Sequence, residues 1–217
     1  MKRVVVYVEG PSDKAAMEAL LKPLLRQRRQ QGIAIDFFDA PAGDRKKSLL
    51  LKIPHRAVNI LCNQPATFVV TMPDLYPRNR GFPHKTYEEL ANGVLKNFRR
   101  AVQRKRIPNN GRLEERFKVF CFKHDLEALV LASRDALRIR LEATSLPITW
   151  TLPVENQNHD QPPKRVVEDL FRQHRQRYRD TVDAPLILSG SDYQGLAEAC
   201  PQCFKPFVEF LSSIKVG

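Results

Sequence analysis

The sequence predicts an α/β fold, a mostly parallel sheet flanked by helices, with a mainly helical C-terminal extension. Two observations carry this expectation. Residues 4–8, 67–72 and 117–122 are runs of β-branched and aromatic residues, the composition of strands buried on both faces. Stretches with apolar residues at helical spacing separate them, and that alternation builds parallel sheets.

In chain order, Glu9-Gly10-Pro11 ends the first strand, and Ser12 can cap a helix with apolar positions at Ala15, Ala16, Ala19, Leu20 and Leu24. Residues 33–38 alternate as a short strand, followed by the loop 41–47. Residues 48–62 have helical spacing despite Pro54, and residues 77–84 read as a basic, proline-containing mobile loop. A long helix with a Lys- and Arg-rich polar face is expected over 86–106, a turn at Asn109-Asn110-Gly111, and a further helix from Lys123 to Leu131. Past Ser133, prolines at 147, 153, 162 and 163 punctuate a loop. A basic helix is expected over 165–179, then two short helical patterns across 193–215, parted at Cys200-Pro201. This reading divides the chain into a core, 1–132, and a helical extension, 133–217, packed on it.

Of the 217 residues, 36 are Lys or Arg and 24 are Asp or Glu, so the net charge is +12. A balance this basic points to a polyanion partner, most simply nucleic acid, although basic surfaces also aid solubility. The charge is clustered: Arg26, Arg28 and Arg29; Arg45, Lys46 and Lys47; Arg99, Arg100, Arg104, Lys105 and Arg106; Arg172, Arg175, Arg177 and Arg179. No apolar run approaches the ~20 residues that cross a bilayer. Glu9 also interrupts the first apolar run too early for a signal peptide, so the expected location is cytoplasmic, without a membrane partner. Four cysteines stand at 62, 121, 200 and 203. Cys200-Pro201-Gln202-Cys203 has the spacing of zinc or redox motifs, but no second CxxC or HxxxH partner appears, so buried free thiols are expected.

Carboxylates recur where strands end. Glu9 follows the first, Asp74 the strand over 67–72, and Asp125 with Glu127 the strand over 117–122. In open α/β sheets, ligands bind at the carboxyl edge. If the strands are parallel neighbours, the acids converge there and repel one another unless a cation neutralises them. Mg2+ or Mn2+ is the expected occupant, and on a basic chain an acidic metal site suggests phosphodiester chemistry. Each acid also has a structural reading: Glu9 as a helix cap, Asp74 as a turn residue, Asp125 or Glu127 as an acid favoured by a helix dipole. His124 reads as a structural or hydrogen-bonding residue.

These residues also carry a family resemblance. Val8-Glu9-Gly10-Pro11-Ser12-Asp13 resembles the first motif of TOPRIM domains, the catalytic fold of topoisomerases, primases and overcoming-lysogenization-defect nucleases. A closer resemblance is to a TOPRIM-like family of uncharacterised bacterial proteins, often encoded in phage-defence neighbourhoods beside ATPases. Thr71-Met72-Pro73-Asp74-Leu75-Tyr76 resembles its Thr-Met-Phe-Asp-x-Tyr motif. His124-Asp125-Leu126-Glu127-Ala128-Leu129-Val130 and Pro162-Pro163-Lys164-Arg165-Val166 resemble two later motifs, and the motif order is kept over most of the chain. Two departures stand out: Met72 occupies the first position of the usual Asp-x-Asp, and Asp125 replaces a glutamate. A site with fewer acids binds one metal well and a second poorly.

The resemblance implies a TOPRIM-like, Rossmann-like fold and a Mg2+- or Mn2+-dependent nuclease in anti-phage defence. Glu9 would be metal ligand or general base, Asp74 the principal metal ligand, and Asp125 and Glu127 the remainder; Glu9, Asp74 and Glu127 form the catalytic set. Lys14, Lys164 and Arg165 are candidate phosphate contacts, and Arg104, Lys105 and Arg106 a candidate nucleic-acid patch. DNA is the first expectation, structured RNA the second. The alternative is a non-catalytic nucleic-acid-binding or adaptor subunit of a complex with an AAA- or ABC-type ATPase, since no GxxxxGK[ST] motif occurs here. A homodimer is a further expectation.

Overall fold

Val4–Val8 have almost no exposed surface, and they form the interior of the sheet. The computed structural model describes residues 1–215 except 79–81, 108–110, 149 and 158–159. Its elements begin with β1 (Lys2–Val8), α1 (Pro11–Leu20), α2 (Lys22–Gln30), β2 (Ile33–Asp39) and the single turn α3 (Arg45–Lys47). A π-helical turn, Ser48–Lys52, leads into α4 (Ile53–Asn63), β3 (Thr67–Met72), α5 (Tyr87–Arg104), α6 (Gly111–Glu114) and β4 (Phe117–Val119). The remainder is helical: α7 (Glu127–Ala132), α8 (Arg134–Arg140), a 3-10 turn at Val154–Asn156, α9 (Pro163–Gln173), α10 (Asp180–Ser189), α11 (Tyr193–Ala199) and α12 (Phe204–Ser213). No helix among the described residues is long and apolar enough to cross a membrane.

Two compact units result. The first comprises Met1–Gly10, Leu25–Cys121 and Ile214–Gly217, and the second Pro11–Leu24 and Phe122–Ser213. The first holds the sheet, ordered β2-β1-β3-β4 with every pairing parallel. The expected α/β fold is therefore present. Leu49, Leu50, Ile53, Ala57, Val58 and Leu61, with Leu90, Val94 and Phe98 of α5, are buried in this unit. Phe98 stacks on Phe117 with ring centroids 4.5 Å apart, bringing α5 onto the short edge strand.

The second unit is all helical. Ala16, Met17 and Leu20 of α1 are buried in it, as are Ala184, Ile187 and Leu188 of α10, the two helices packing together. A buried ion pair fixes the start of α10: Arg140 Nε and Nη2 donate to Asp183 Oδ1 at 2.9 and 2.6 Å, and the Arg179 N–H donates to Asp183 Oδ2 at 2.6 Å. Asp183 is fully buried, so losing Arg140 would strand its charge.

Several expectations change in detail. Pro54 lies in the first turn of α4, where a missing N–H costs nothing, so the helical stretch is a π turn followed by an α-helix. α1 begins at Pro11, which puts Ser12 inside the helix rather than at its cap. β4 stops at Val119, shorter than the 117–122 run, because pairing to β3 ends there with Phe120 N donating to Thr71 O. The basic helix ends at Gln173 instead of 179, since Arg175 takes a left-handed φ of 58° that terminates it. The turn expected at 109–111 and part of the 77–84 loop lie outside the described residues.

All four cysteines are free, but Cys62 is exposed, contrary to the expectation of burial throughout; it lies on α4's solvent side near the helix end. Glu155, almost fully buried, accepts from the backbone N–H groups of Gln202 and Cys203, each at 2.7 Å, and of Phe204 at 3.4 Å. The CxxC spacing thus marks a turn whose amides are gathered by a carboxylate. Burial, with Glu155 nearby, pushes the Cys200 thiol well above its ordinary value.

Phe98→Ala should cost about 3–5 kcal/mol through the lost stacking and the cavity left beside β4. The measurement is the urea unfolding midpoint, which should fall at nearly constant m-value.

Candidate functional site

Parallel pairing brings two of the expected acids together in the first unit. The register sets Val8 opposite Met72, so β1 and β3 end level. Glu9 is the next residue on one strand, and Asp74 follows Pro73 on the other. The Asp74 N–H donates to Glu9 Oε1 at 3.0 Å, which ties the two strand exits directly. Met72 itself is fully buried, its side chain in the core rather than at the edge with Glu9 and Asp74.

Lys46 joins this pair, a residue the sequence offered only as part of a basic cluster. Asp44 caps α3 by accepting from Lys47 N at 2.9 Å, and Gly43 turns the chain with a φ of 102°. Lys46 Nζ donates to Pro77 O. Burial lowers the Lys46 pKa below its ordinary value, while the carboxylates of Glu9 and then Asp74 pull it back upward. A partly desolvated ammonium therefore offsets part of the carboxylate charge at the strand ends.

The second unit holds the other pair. Asp125 Oδ2 accepts from the Lys164 N–H at 3.2 Å and so caps α9, while Asp125 Oδ1 is buried with no hydrogen-bond partner among the described residues. Glu127, at the start of α7, is only 4% exposed. Tyr178 Oη donates to Glu127 Oε1 at 3.2 Å. Lys164 Nζ lies 3.8 Å from Glu127 but gives its hydrogen bond to Asp180 at 2.8 Å. That choice decides the electrostatics. Burial raises the Glu127 pKa to about 8, with Asp125 adding to the rise and Lys164 only partly opposing it. Burial likewise lifts Asp125 to about 6, against the N–H and charge of Lys164. For Lys164, burial acts downward, but Asp180 and Glu127 outweigh it and the net shift is upward.

Tyr178 and Asp180 were not anticipated: Tyr178 lies past the end of α9 where the sequence predicts continuous helix to 179, and Asp180 begins α10 just beyond it. With Lys164, Arg177, Arg179 and Thr181 they line an open cavity of about 340 Å³.

The remaining candidates are dispersed. Lys14 sits half-buried in the first turn of α1, and Arg165 is exposed on α9 in the second unit. Arg104, Lys105 and Arg106 are exposed at the end of α5 in the first unit, with Lys105 Nζ on Asn59 Oδ1 and Arg106 at a left-handed φ of 53°. The carboxylates thus form two groups, Glu9 with Asp74 and Asp125 with Glu127, one in each unit. Among the described residues, no three His, Cys, Asp or Glu side chains gather closely enough to hold a metal ion by themselves.

Residues 8–212 match the family model described as "Domain of unknown function (DUF4276)". The chain belongs to that family. A search of curated proteins finds no match. Among solved structures, the chain is similar to the C-terminal region of the Burkholderia pseudomallei OLD protein, with 14% identity, 98% of each chain covered and a TM-score of 0.48. It is also similar to the C-terminal region of the Xanthomonas campestris pv. campestris OLD protein, with 13% identity, 97% and 94% covered and a TM-score of 0.45.

A pH dependence follows from the buried acids. With its pKa raised to about 8, folded Glu127 keeps a proton that the unfolded chain releases near its ordinary value of 4.5. Stability contributed by the protonated acid is therefore present at low pH and lost as pH rises through that window. Wild type should lose roughly 1 kcal/mol per pH unit there, and Glu127→Gln should flatten the slope. Urea midpoints measured between about pH 5 and 8 check this; parallel slopes in both proteins would refute the role given to Glu127.

Proposed function

We propose that this chain is a Mg2+- or Mn2+-dependent phosphodiesterase that cleaves nucleic acid, with a TOPRIM-like catalytic sheet, in bacterial anti-phage defence. The observation that carries this reading is the hydrogen bond joining Glu9 to the Asp74 backbone at the carboxyl edge of a parallel sheet, on a chain of net charge +12. It places two carboxylates where such sheets take ligands. The defence setting rests on the motif resemblance alone.

The donor chemistry suits a hard cation. Asp125 has a buried oxygen without a partner among the described residues, and burial, with Asp125 beside it, pushes Glu127 toward its neutral form. Mg2+ commonly uses one or two carboxylates and completes its shell with water and substrate phosphate, so a full protein cage is not required. In this reading Glu9 and Asp74 hold metal in the first unit, and Asp125 and Glu127 are metal-holding carboxylates of the second. When bound, the metal supplies charge stabilisation and an acidified water. Glu9, its Oε1 held by Asp74 N, would orient that water or accept its proton. With Glu9 and Asp74 engaged by a cation, Lys46 would be available to contact phosphate. Lys164, Arg165 and Lys14 would contact phosphate without reading sequence, and Arg104, Lys105 and Arg106 would hold flanking nucleic acid.

One observation favours a second reading, a non-catalytic nucleic-acid-binding or adaptor subunit of an ATPase complex. Lys46 already compensates part of the Glu9 and Asp74 charge, which is the place a metal would take.

Incubation with plasmid, single-stranded DNA and structured RNA, with Mg2+, Mn2+ or EDTA, separates the two readings. The enzyme should cut only with metal, and Glu9→Gln and Asp74→Asn should each lower cleavage by about a hundredfold or more. Binding without cutting, unchanged in both variants, would establish the adaptor instead. Alanine at Arg104, Lys105 and Arg106 together should reduce the slope of log affinity against log salt by about 2 to 3. An unchanged slope would remove that patch from the footprint.

A further inference from the structure

β4 leaves a set of strand hydrogen-bonding groups unused in the first unit. Val69 N donates to Arg116 O at 2.9 Å and Phe120 N to Thr71 O at 3.0 Å, with Val69, Val70 and Thr71 opposite Phe117, Lys118 and Val119. In a parallel ladder of this register, Lys118 turns both its N–H and C=O toward β3. Phe117 and Val119 therefore turn theirs outward. The Val119 carbonyl accepts from Tyr87 Oη at 2.7 Å. Among the described residues, the Phe117 N–H and C=O and the Val119 N–H have no protein partner.

These groups face a groove of about 510 Å³. One wall is a stripe of α5, Tyr87, Ala91 and Leu95, at i, i+4 and i+8; Glu114 and Glu115 lie at another side. Glu114 is paired with Arg99, while Glu115 is exposed and has no ion pair among the described residues. The edge is recessed, since Phe117 and Val119 are only 2% and 7% exposed.

We propose that this groove binds an extended segment of a partner protein, which adds a fifth strand beside β4. The free groups are backbone donors and an acceptor at strand spacing, the pattern that recruits another strand rather than a helix or a small molecule. Recession behind α5 suits a single extended segment better than the flat sheet edge of a second folded copy. The segment sets small or apolar side chains against Ala91 and Leu95, and a Lys or Arg against Glu115. The groove is lined by none of Glu9, Asp74 and Lys46, and the binding requires no catalysis.

The probe is a short fluorescent peptide alternating valine and lysine, titrated into the full chain and followed by anisotropy and by NMR amide exchange. Binding should slow exchange at the Phe117 and Val119 amides. N-methylation of the peptide amides facing β4 should weaken binding by about tenfold, the worth of one or two backbone hydrogen bonds. Replacing its lysines with glutamate should weaken binding too, and Ala91→Trp should fill the groove and abolish binding while the circular dichroism of the chain is unchanged. Absence of binding, equal binding of the N-methylated peptide, or protection elsewhere would overturn the proposal. A self-association that Ala91→Trp removes, seen by sedimentation, would also overturn it by giving the groove to a second copy.

Discussion

The register of β1 against β3 is the constraint on which the edge of the sheet depends. Both strands are buried on both faces, so a slip of one residue would turn whole sets of Val and Met side chains the wrong way. With Val8 held opposite Met72, the next polar residues fall at the same level. The Glu9–Asp74 hydrogen bond is then a local contact between two chain ends already in place. Hydrophobic pairing thus fixes the position of a polar group that contributes nothing to the core.

The two carboxylate groups show how one kind of side chain is tuned by its neighbours. In the first unit a lysine is close enough to share the charge of Glu9 and Asp74 and is itself pushed toward neutrality by burial. In the second unit the available lysine is engaged elsewhere, 2.8 Å from Asp180 against 3.8 Å from Glu127. Burial therefore dominates at Glu127, with Lys164 offsetting only part of it.

Local chemistry made most of the sheet legible. Residues 67–72 and 33–38 have strand composition bounded by turn residues, and the elements observed are β3 and β2 with little change. Glu9 and Asp74 were legible because a strand end is a sequence feature, and parallel order then makes them neighbours. Lys46 was not, since its place depends on a loop whose fold is set by Asp44, Gly43 and the distant Pro77 carbonyl. The end of α9 was equally hidden: the left-handed residue that stops it is Arg175, where a glycine would have announced the turn. Tyr178 and Asp180 were lost with it. The short β4 was overread because Phe120, Cys121 and Phe122 keep strand composition after pairing has ended.

The path of the chain has a consequence for how the molecule is made. Unit one takes residues from both extremes of the sequence: Lys2 Nζ donates to Lys215 O, and Arg28, buried in α2, donates to Ile214 O. A ribosome releases the strands early, but the carbonyls that accept from these cations emerge some 175 residues after β2. Until then the Arg28 guanidinium has Gln31 on Nη1 but lacks the Ile214 carbonyl that its Nη2 takes on burial, which disfavours closure of that corner. The sheet can pair during translation, whereas its final seal waits for Ile214 and Lys215, so a nascent chain stalled in α12 would remain open at α2.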